Sequence, residues 1–317
     1  MKLNSLFGKM RSFQILFCLV LLLEICWCNP IQPKKSKKEL QLSYSCMRVV
    51  EGGKNAEKAP IILLHGLGMF KEAWMGLYQI FALKTGRRVC AVDLRNHGDS
   101  PWSDETDTAS MASDLNPLMK TLKVDKVILL GHSLGGKVAV HFTLTNPNKV
   151  EKLIVEDMRP NGATDDANKM VLGALKIFRG AIDSVPKGST EPEAKKAVYE
   201  FLKKTLGISF HLDQRAIDFL PIKCKKGKCE WKMNLKLFEK LSNVDTAKIL
   251  VKSSGLFENP ALFIYGEASP FRIPDAKDEI EKLFPKAKLV GVKGAGHVVS
   301  GFPEYRDEVI RFINEEN

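Results

Sequence analysis

The 317-residue chain has no Asn-x-Ser/Thr sequon, no internal repeat and no extended low-complexity segment. These absences remove N-glycosylation, solenoid and propeller architectures, and collagen-like or disordered classes from consideration. No apolar run reaches the roughly 20 residues that a comfortable membrane-spanning helix needs, which excludes a polytopic membrane protein. Cations are in excess, 48 Lys+Arg against 37 Asp+Glu for a net +11, yet they are scattered, with small runs only at 34–38 and 223–228. Such a balance favours weak attraction to anionic surfaces. Without a motif or a basic face it gives no reason to expect a nucleic-acid partner. What remains is an ordinary globular composition, 44% hydrophobic and 27% charged.

The first residues read as a trafficking segment. Lys2, Lys9 and Arg11 precede an apolar stretch from Phe13 to Trp27, unbroken from Ile15 to Leu23, and Cys26 and Cys28 are small residues before a cut at Asn29. This is the layout of a secretory signal peptide over 1–28, followed by a flexible Pro- and Lys-rich lead over 29–40. Secretion is therefore expected, with a mitochondrial or signal-anchored location as the alternative. Cleavage would leave 45 Lys+Arg against 36 Asp+Glu, or +9, and four cysteines: Cys46, Cys90, Cys224 and Cys229. Cys224 and Cys229 bracket Lys-Lys-Gly-Lys, a hairpin turn that can bring two sulfurs into bonding range. Cys90 lies in the apolar run Val89–Val92 and is expected to be a buried core thiol. A zinc site would need two further ligands, and His211 is a poor candidate, so no metal is expected.

Short apolar runs then alternate with helical patterns. Strands are predicted at Leu42–Val50, Ile61–Leu64, Val89–Asp93, Val127–Leu130, Leu153–Val155, Leu262–Tyr265 and Leu289–Val292. Met111, Leu115, Leu118 and Leu122 recur at helical spacing, with a kink expected at Pro117. The alternation implies an α/β class with a mostly parallel central sheet flanked by helices. Between about 160 and 254 the rhythm changes to helices (Met170–Ile182, Ala194–Leu206, Gln214–Leu220) and the cysteine hairpin. This stretch reads as a mainly helical cap inserted between two core segments, 41–159 and 255–317.

The chemistry concentrates at Gly131-His132-Ser133-Leu134-Gly135-Gly136, between a predicted strand and a predicted helix. A bare Gly-x-Ser-x-Gly occurs by chance in about one chain in ten of this length, but strand, sharp turn and helix are the setting of a nucleophile elbow. Ser133 is the candidate nucleophile. A hydroxyl needs a base, and the base an orienting acid. His297, on the Gly-rich loop after the last strand, is the candidate base. Asp157 ends a strand and gives the order Ser, Asp, His; Glu267, after the next strand, is the alternative acid. Backbone N–H groups of Leu134 and of Leu67, in His65-Gly66-Leu67-Gly68, are the candidate oxyanion donors. His65, His97, His132, His141 and His211 are expected to be structural. Apolar cap side chains, Val171, Leu172, Leu175, Ile177, Phe178, Phe201, Leu202 and Phe219, are expected to be mainly core, some of them lining an acyl pocket.

These motifs together resemble the α/β-hydrolase superfamily from about Leu42 to the C-terminus. Thr85–Val89, Asp93–Pro101, Gly131–Lys137 and Val150–Ile154 are similar to the branch called abhydrolase domain-containing protein eleven and its bacterial esterase relatives. The resemblance implies hydrolysis of carboxylic esters, including lipid esters or thioesters, through an acyl-enzyme and without a cofactor. Animal relatives of that branch are mitochondrial, in contrast to this N-terminus. Two positions depart from its pattern: Val298 stands where an aromatic residue follows the histidine, and Ser300-Gly301 replaces a polar or histidine position. Ser269 matches the branch's serine in the turn after the penultimate strand, which favours Asp157. A non-catalytic binding protein on the same fold is the alternative reading.

Overall fold

The computed structural model describes residues 40–48, 58–206, 217, 219–242 and 249–316. The signal-peptide reading, nearly all of the flexible lead and His211 lie outside the described residues, as does most of the expected helix at Gln214–Leu220. In chain order the elements are β1 (Tyr44–Met47), β2 (Ile61–Leu64), α1 (Leu77–Thr85), β3 (Val89–Val92), α2 (Thr108–Ser113), α3 (Leu115–Leu122), β4 (Val127–His132), α4 (Leu134–Thr145), β5 (Val150–Glu156), α5 (Asp165–Asp183), α6 (Glu191–Leu206), β6 (Ile222–Lys225), β7 (Lys228–Trp231), α7 (Leu235–Ser242), β8 (Ala261–Gly266), α8 (Lys277–Leu283), β9 (Ala287–Val292) and α9 (Pro303–Asn314).

Seven strands form one sheet in the order β1-β3-β2-β4-β5-β8-β9, parallel throughout except for the antiparallel edge strand β1. The inner strands are buried on both faces, so their sequences are continuous apolar runs rather than alternating ones. Period-2 alternation still sorts the side chains into two cores. Ile62, Leu64, Val92, Leu129, Leu153 and Val155 pack on one face with residues of α2 to α4 and the inserted segment. Ile61, Leu63, Val89, Ile128, Leu130, Ile154 and Leu262 pack on the other with α1 and α9.

Two expectations are corrected. Cys90 is not a free thiol: it is disulfide-bonded to Cys46. The antiparallel register sets Cys46 directly opposite Cys90, with a Cα–Cα distance of 4.1 Å. Pro117 does not kink a continuous helix. The chain breaks at Asp114, and Pro117 occupies the first turn of α3, where its missing N–H has no intrahelical role.

Between β5 and β8 no described residue joins the main sheet. Helices α5 to α7 and the β6–β7 hairpin lie over its carboxyl edge, with Cys224 bonded to Cys229 as the spacing suggested. Thr164 caps α5 through its side-chain oxygen and the Ala167 N–H, at 3.1 Å. The insertion is tied to the core at both stems. Lys137 on α4 donates through Nζ to the Pro160 carbonyl, to Asn161 Oδ1 (2.9 Å) and to Ser253 Oγ (3.0 Å). The Asn161 amide donates to the Ser253 carbonyl at 2.9 Å, closing the same knot. Farther along, Asn234 N–H donates to the Asn96 carbonyl (2.9 Å), and Lys232 Nζ pairs with Asp99 Oδ1 (3.0 Å). Among the described residues no helix is long and apolar enough to cross a membrane.

Candidate active site

Strand β4 ends one residue before Ser133, which is held at φ 51° and ψ −117°, a conformation few non-glycine residues adopt. The turn is possible because its neighbours lack side chains. A Cβ on Gly131 would sit 2.2 Å from the Gly135 carbonyl oxygen, and one on Gly135 would sit 2.3 Å from that of Leu64. The backbone is thereby folded tightly enough to lift Ser133 off the sheet edge, with α4 starting directly behind it. Asp157 follows β5 at a second strained position, φ 49°. His297 lies five residues past β9, on the loop predicted for it.

The three side chains form one hydrogen-bonded line. Ser133 Oγ lies 2.8 Å from His297 Nε2, and His297 Nδ1 lies 2.7 Å from Asp157 Oδ2. A carboxylate only accepts, so Nδ1 carries the ring proton and Nε2 is left to receive the serine's. Asp157 is fully buried and doubly supported: Gly266 N–H donates to Oδ1 at 3.2 Å, and the Ser269 hydroxyl donates to Oδ2. Asp157, not Glu267, is the carboxylate that reaches His297. Glu267 is exposed, its chain turned against Gly291.

The two residues proposed as oxyanion donors both lie beside the nucleophile. Leu134 opens α4, so its N–H has no acceptor within the helix. Leu67 and Leu134 line one cleft with Ser133. The loop carrying Leu67 is fixed by two buried imidazoles. His65 Nε2 accepts the Leu94 N–H (3.1 Å) while its Nδ1 faces the Gly66 carbonyl (2.8 Å). His97 Nε2 accepts the Gly68 N–H (3.2 Å), and its Nδ1 faces the Arg95 carbonyl (3.0 Å). Both rings are neutral: burial lowers His65 to about 4 and His97 to about 3. The structural role expected for these histidines is thus a specific one, holding the backbone opposite the nucleophile.

The cleft, about 50 Å³ in volume, is walled by Leu67, Met158, Val171, Phe238, Ile249 and Phe271, with Asn168 its polar side chain besides Ser133. Of the apolar cap residues singled out in the sequence, Val171 reaches it, whereas Leu175 and Ile177 are buried in the core. Phe178 instead covers the loop at Gly68, where a Cβ would meet its ring at 2.6 Å.

Two residues were missed by sequence reasoning. Phe271 stacks on the His297 ring, centroids 4.2 Å apart at 9°, and lines the cleft as well. Glu156 is fully buried, and its Oε1 accepts the N–H groups of Val299 (2.8 Å) and Ser300 (2.7 Å), clamping the loop that carries His297. Its Oε2 lies 3.8 Å from Nδ1 of His132, a ring whose pKa is lowered by burial and which sits 4.9 Å from that of His297. A signal for Glu156 was present, since a charged residue at the inner end of the apolar run Leu153–Val155 must find buried partners. A lone loop phenylalanine offers no such signal.

Comparison with known proteins agrees with this arrangement. The family described as alpha/beta hydrolase fold matches residues 59–302. The sn-1-specific diacylglycerol lipase ABHD11 of Mus musculus is 31% identical over 287 residues, 89% of this chain and 88% of that protein. Esterase YbfF of Escherichia coli is 28% identical over 257 residues, 80% of this chain and 91% of that one. Among solved structures, a marine microorganism esterase superposes with a TM-score of 0.68 at 30% identity, covering 86% of this chain and all of that one. The sheet order, the strained serine turn and a sequence match running across most of the chain lead to one conclusion: the chain belongs to the α/β-hydrolase fold family.

Proposed function

We propose that the protein is a serine carboxylic ester hydrolase acting on small-molecule or lipid esters. The observation that carries this reading is the continuous line from Ser133 through His297 to buried Asp157, opening on an apolar cleft. Ser133 Oγ attacks the acyl carbonyl as His297 Nε2 takes its proton. Asp157 holds the imidazole tautomer and stabilises the imidazolium that forms. The Leu67 and Leu134 N–H groups receive the developing oxyanion. His297 then returns the proton to the leaving alcohol, and water, activated by the same base, releases the acid and restores the serine.

Two disulfides, together with the basic and apolar character of 1–28, support entry into the secretory pathway. The test is hydrolysis of p-nitrophenyl esters from acetate to palmitate by the native protein and its Ser133→Ala variant. Activity in the native protein that is lost in the variant is the expected result, and the chain-length optimum sizes the acyl pocket. A folded protein that turns over no ester, or a variant that keeps its activity, would overturn the reading.

A further inference from the structure

The net charge is carried unevenly. Residues 160–254 hold 18 Lys+Arg against 11 Asp+Glu, so this segment supplies +7 of the chain's +11, while 41–159 and 255–317 together sum to −1. Within the segment, positive charge is densest at the β6–β7 hairpin. Lys225, Lys226 and Lys228 are exposed at its tip, and among the described residues none of them forms an ion pair with a carboxylate. The α5–α6 connection packs behind the tip through Gly188 N–H and the Gly227 carbonyl (3.1 Å), bringing exposed Lys187 to the same region.

The hairpin is built against its own stability at this point. Its register places Lys225 directly opposite Lys228, and like charges facing across a strand pair are unfavourable. Its turn residues Lys226 and Gly227 both have positive φ, 52° and 71°. A turn with two such positions favours Asn, Asp or Gly, so lysine at the first is a poor local choice. The neighbouring Cys224–Cys229 disulfide holds the pairing closed regardless. Lysines standing where the fold itself disfavours them point to something met outside the fold.

We propose that this disulfide-held hairpin docks the protein on anionic lipid surfaces. Trp102 favours a lipid surface over a soluble polyanion. It is one of three large apolar side chains left exposed among the described residues, and Lys223 Nζ lies over its ring at 4.3 Å. An amphipathic indole beside lysines suits the headgroup level of a membrane, where ring and cation meet their preferred surroundings together. The base of the hairpin reaches the site. Trp231 donates through Nε1 to the Phe178 carbonyl (2.7 Å), and Phe178 covers Gly68 next to Leu67. A surface bound at the tip therefore lies on the cap that roofs the cleft. This inference rests on the ester-hydrolase reading for its biological sense, but not for its test.

The experiment compares the full chain with a Lys225→Ser/Lys226→Ser/Lys228→Ser variant. Both carry Ser133→Ala so that no lipid is consumed. Binding is measured to vesicles of pure phosphatidylcholine and to vesicles with a third of it replaced by phosphatidylserine. A lysine near such a surface contributes about fivefold, so the triple change is expected to lower the phosphatidylserine-dependent gain by about a hundredfold. The native gain should vanish at molar salt, where screening acts within about 3 Å. The Lys→Arg triple variant should retain the gain, and the melting temperature should hold steady or rise once the opposed lysines are gone. An unchanged phosphatidylserine preference in the serine variant would overturn the proposal. Equal losses on vesicles and on heparin, with no effect of Trp102→Ala, would overturn it in favour of a soluble polyanion. On the catalytically intact background, hydrolysis of a soluble ester separates the two readings. Turnover without anionic preference removes docking alone, and docking without turnover removes the enzymatic reading alone.

Discussion

Glu156→Ala tests whether the loop bearing His297 is held from beneath. The carboxylate is fully buried, and its Oε1 takes two backbone N–H groups at 2.8 and 2.7 Å, both within three residues of the base. Bonds to a charged acceptor are worth about 1.5–3 kcal/mol each, so removing both costs about 4 kcal/mol and leaves two buried donors unpaired. In a chain of this size that lowers the melting temperature by roughly 7 °C. The loss falls on the segment that sets the 2.8 Å approach of Nε2 to Ser133. If half of it is expressed as misplacement of the base, kcat/KM falls by about 30-fold beyond any effect of unfolding. Glu156→Gln keeps an amide oxygen for the two donors and loses the charge, so its decline should be milder, about fivefold. Soluble-ester kinetics well below both melting transitions provide the readout. A Glu156→Ala enzyme within about threefold of the native kcat/KM would refute the positioning argument, whatever its stability.

Acid stability should follow the two buried imidazoles. His65 and His97 titrate near 6.5 when unfolded, but burial lowers them to about 4 and about 3 in the fold. Between those values the unfolded chain binds more protons, so stability is complete above about 6.5 and is lost as pH falls through the window. His65 alone accounts for about 3 kcal/mol, and His65→Gln should flatten the melting profile there; an equally steep profile in that variant would count against the assignment. The disulfides should differ in weight: closing separations of 44 and 5 residues corresponds to about 4 and 2 kcal/mol. Cys90→Ser should therefore lower the melting temperature more than Cys229→Ser, and alkylation of Cys90 without reductant would show that the bond is absent.

The elbow was legible because its chemistry is local. Gly131 and Gly135 admit no Cβ, and that requirement is written two residues to either side of Ser133. The acid was only half legible. Asp157 and Glu267 both end strands of the right kind, and the choice depends on which carboxylate turns inward, a tertiary property. Cys90 shows the same division. Its strand was evident from Val89–Val92, but its bond depended on β1 pairing antiparallel with β3, which no local pattern announces. Phe271 was invisible, because stacking on His297 is decided by a loop path that carries no periodicity.

Lys137 has a consequence for how the cap can move. One turn beyond the nucleophile, its amine holds the outgoing stem at Pro160 and Asn161 and the returning stem at Ser253. A hinged lid needs at least one free edge, and here both edges are moored to the helix that presents Ser133. Strain applied to either stem is delivered to α4 within a single side chain. The two cap stems and the nucleophile thus share one anchor, the first turns of α4.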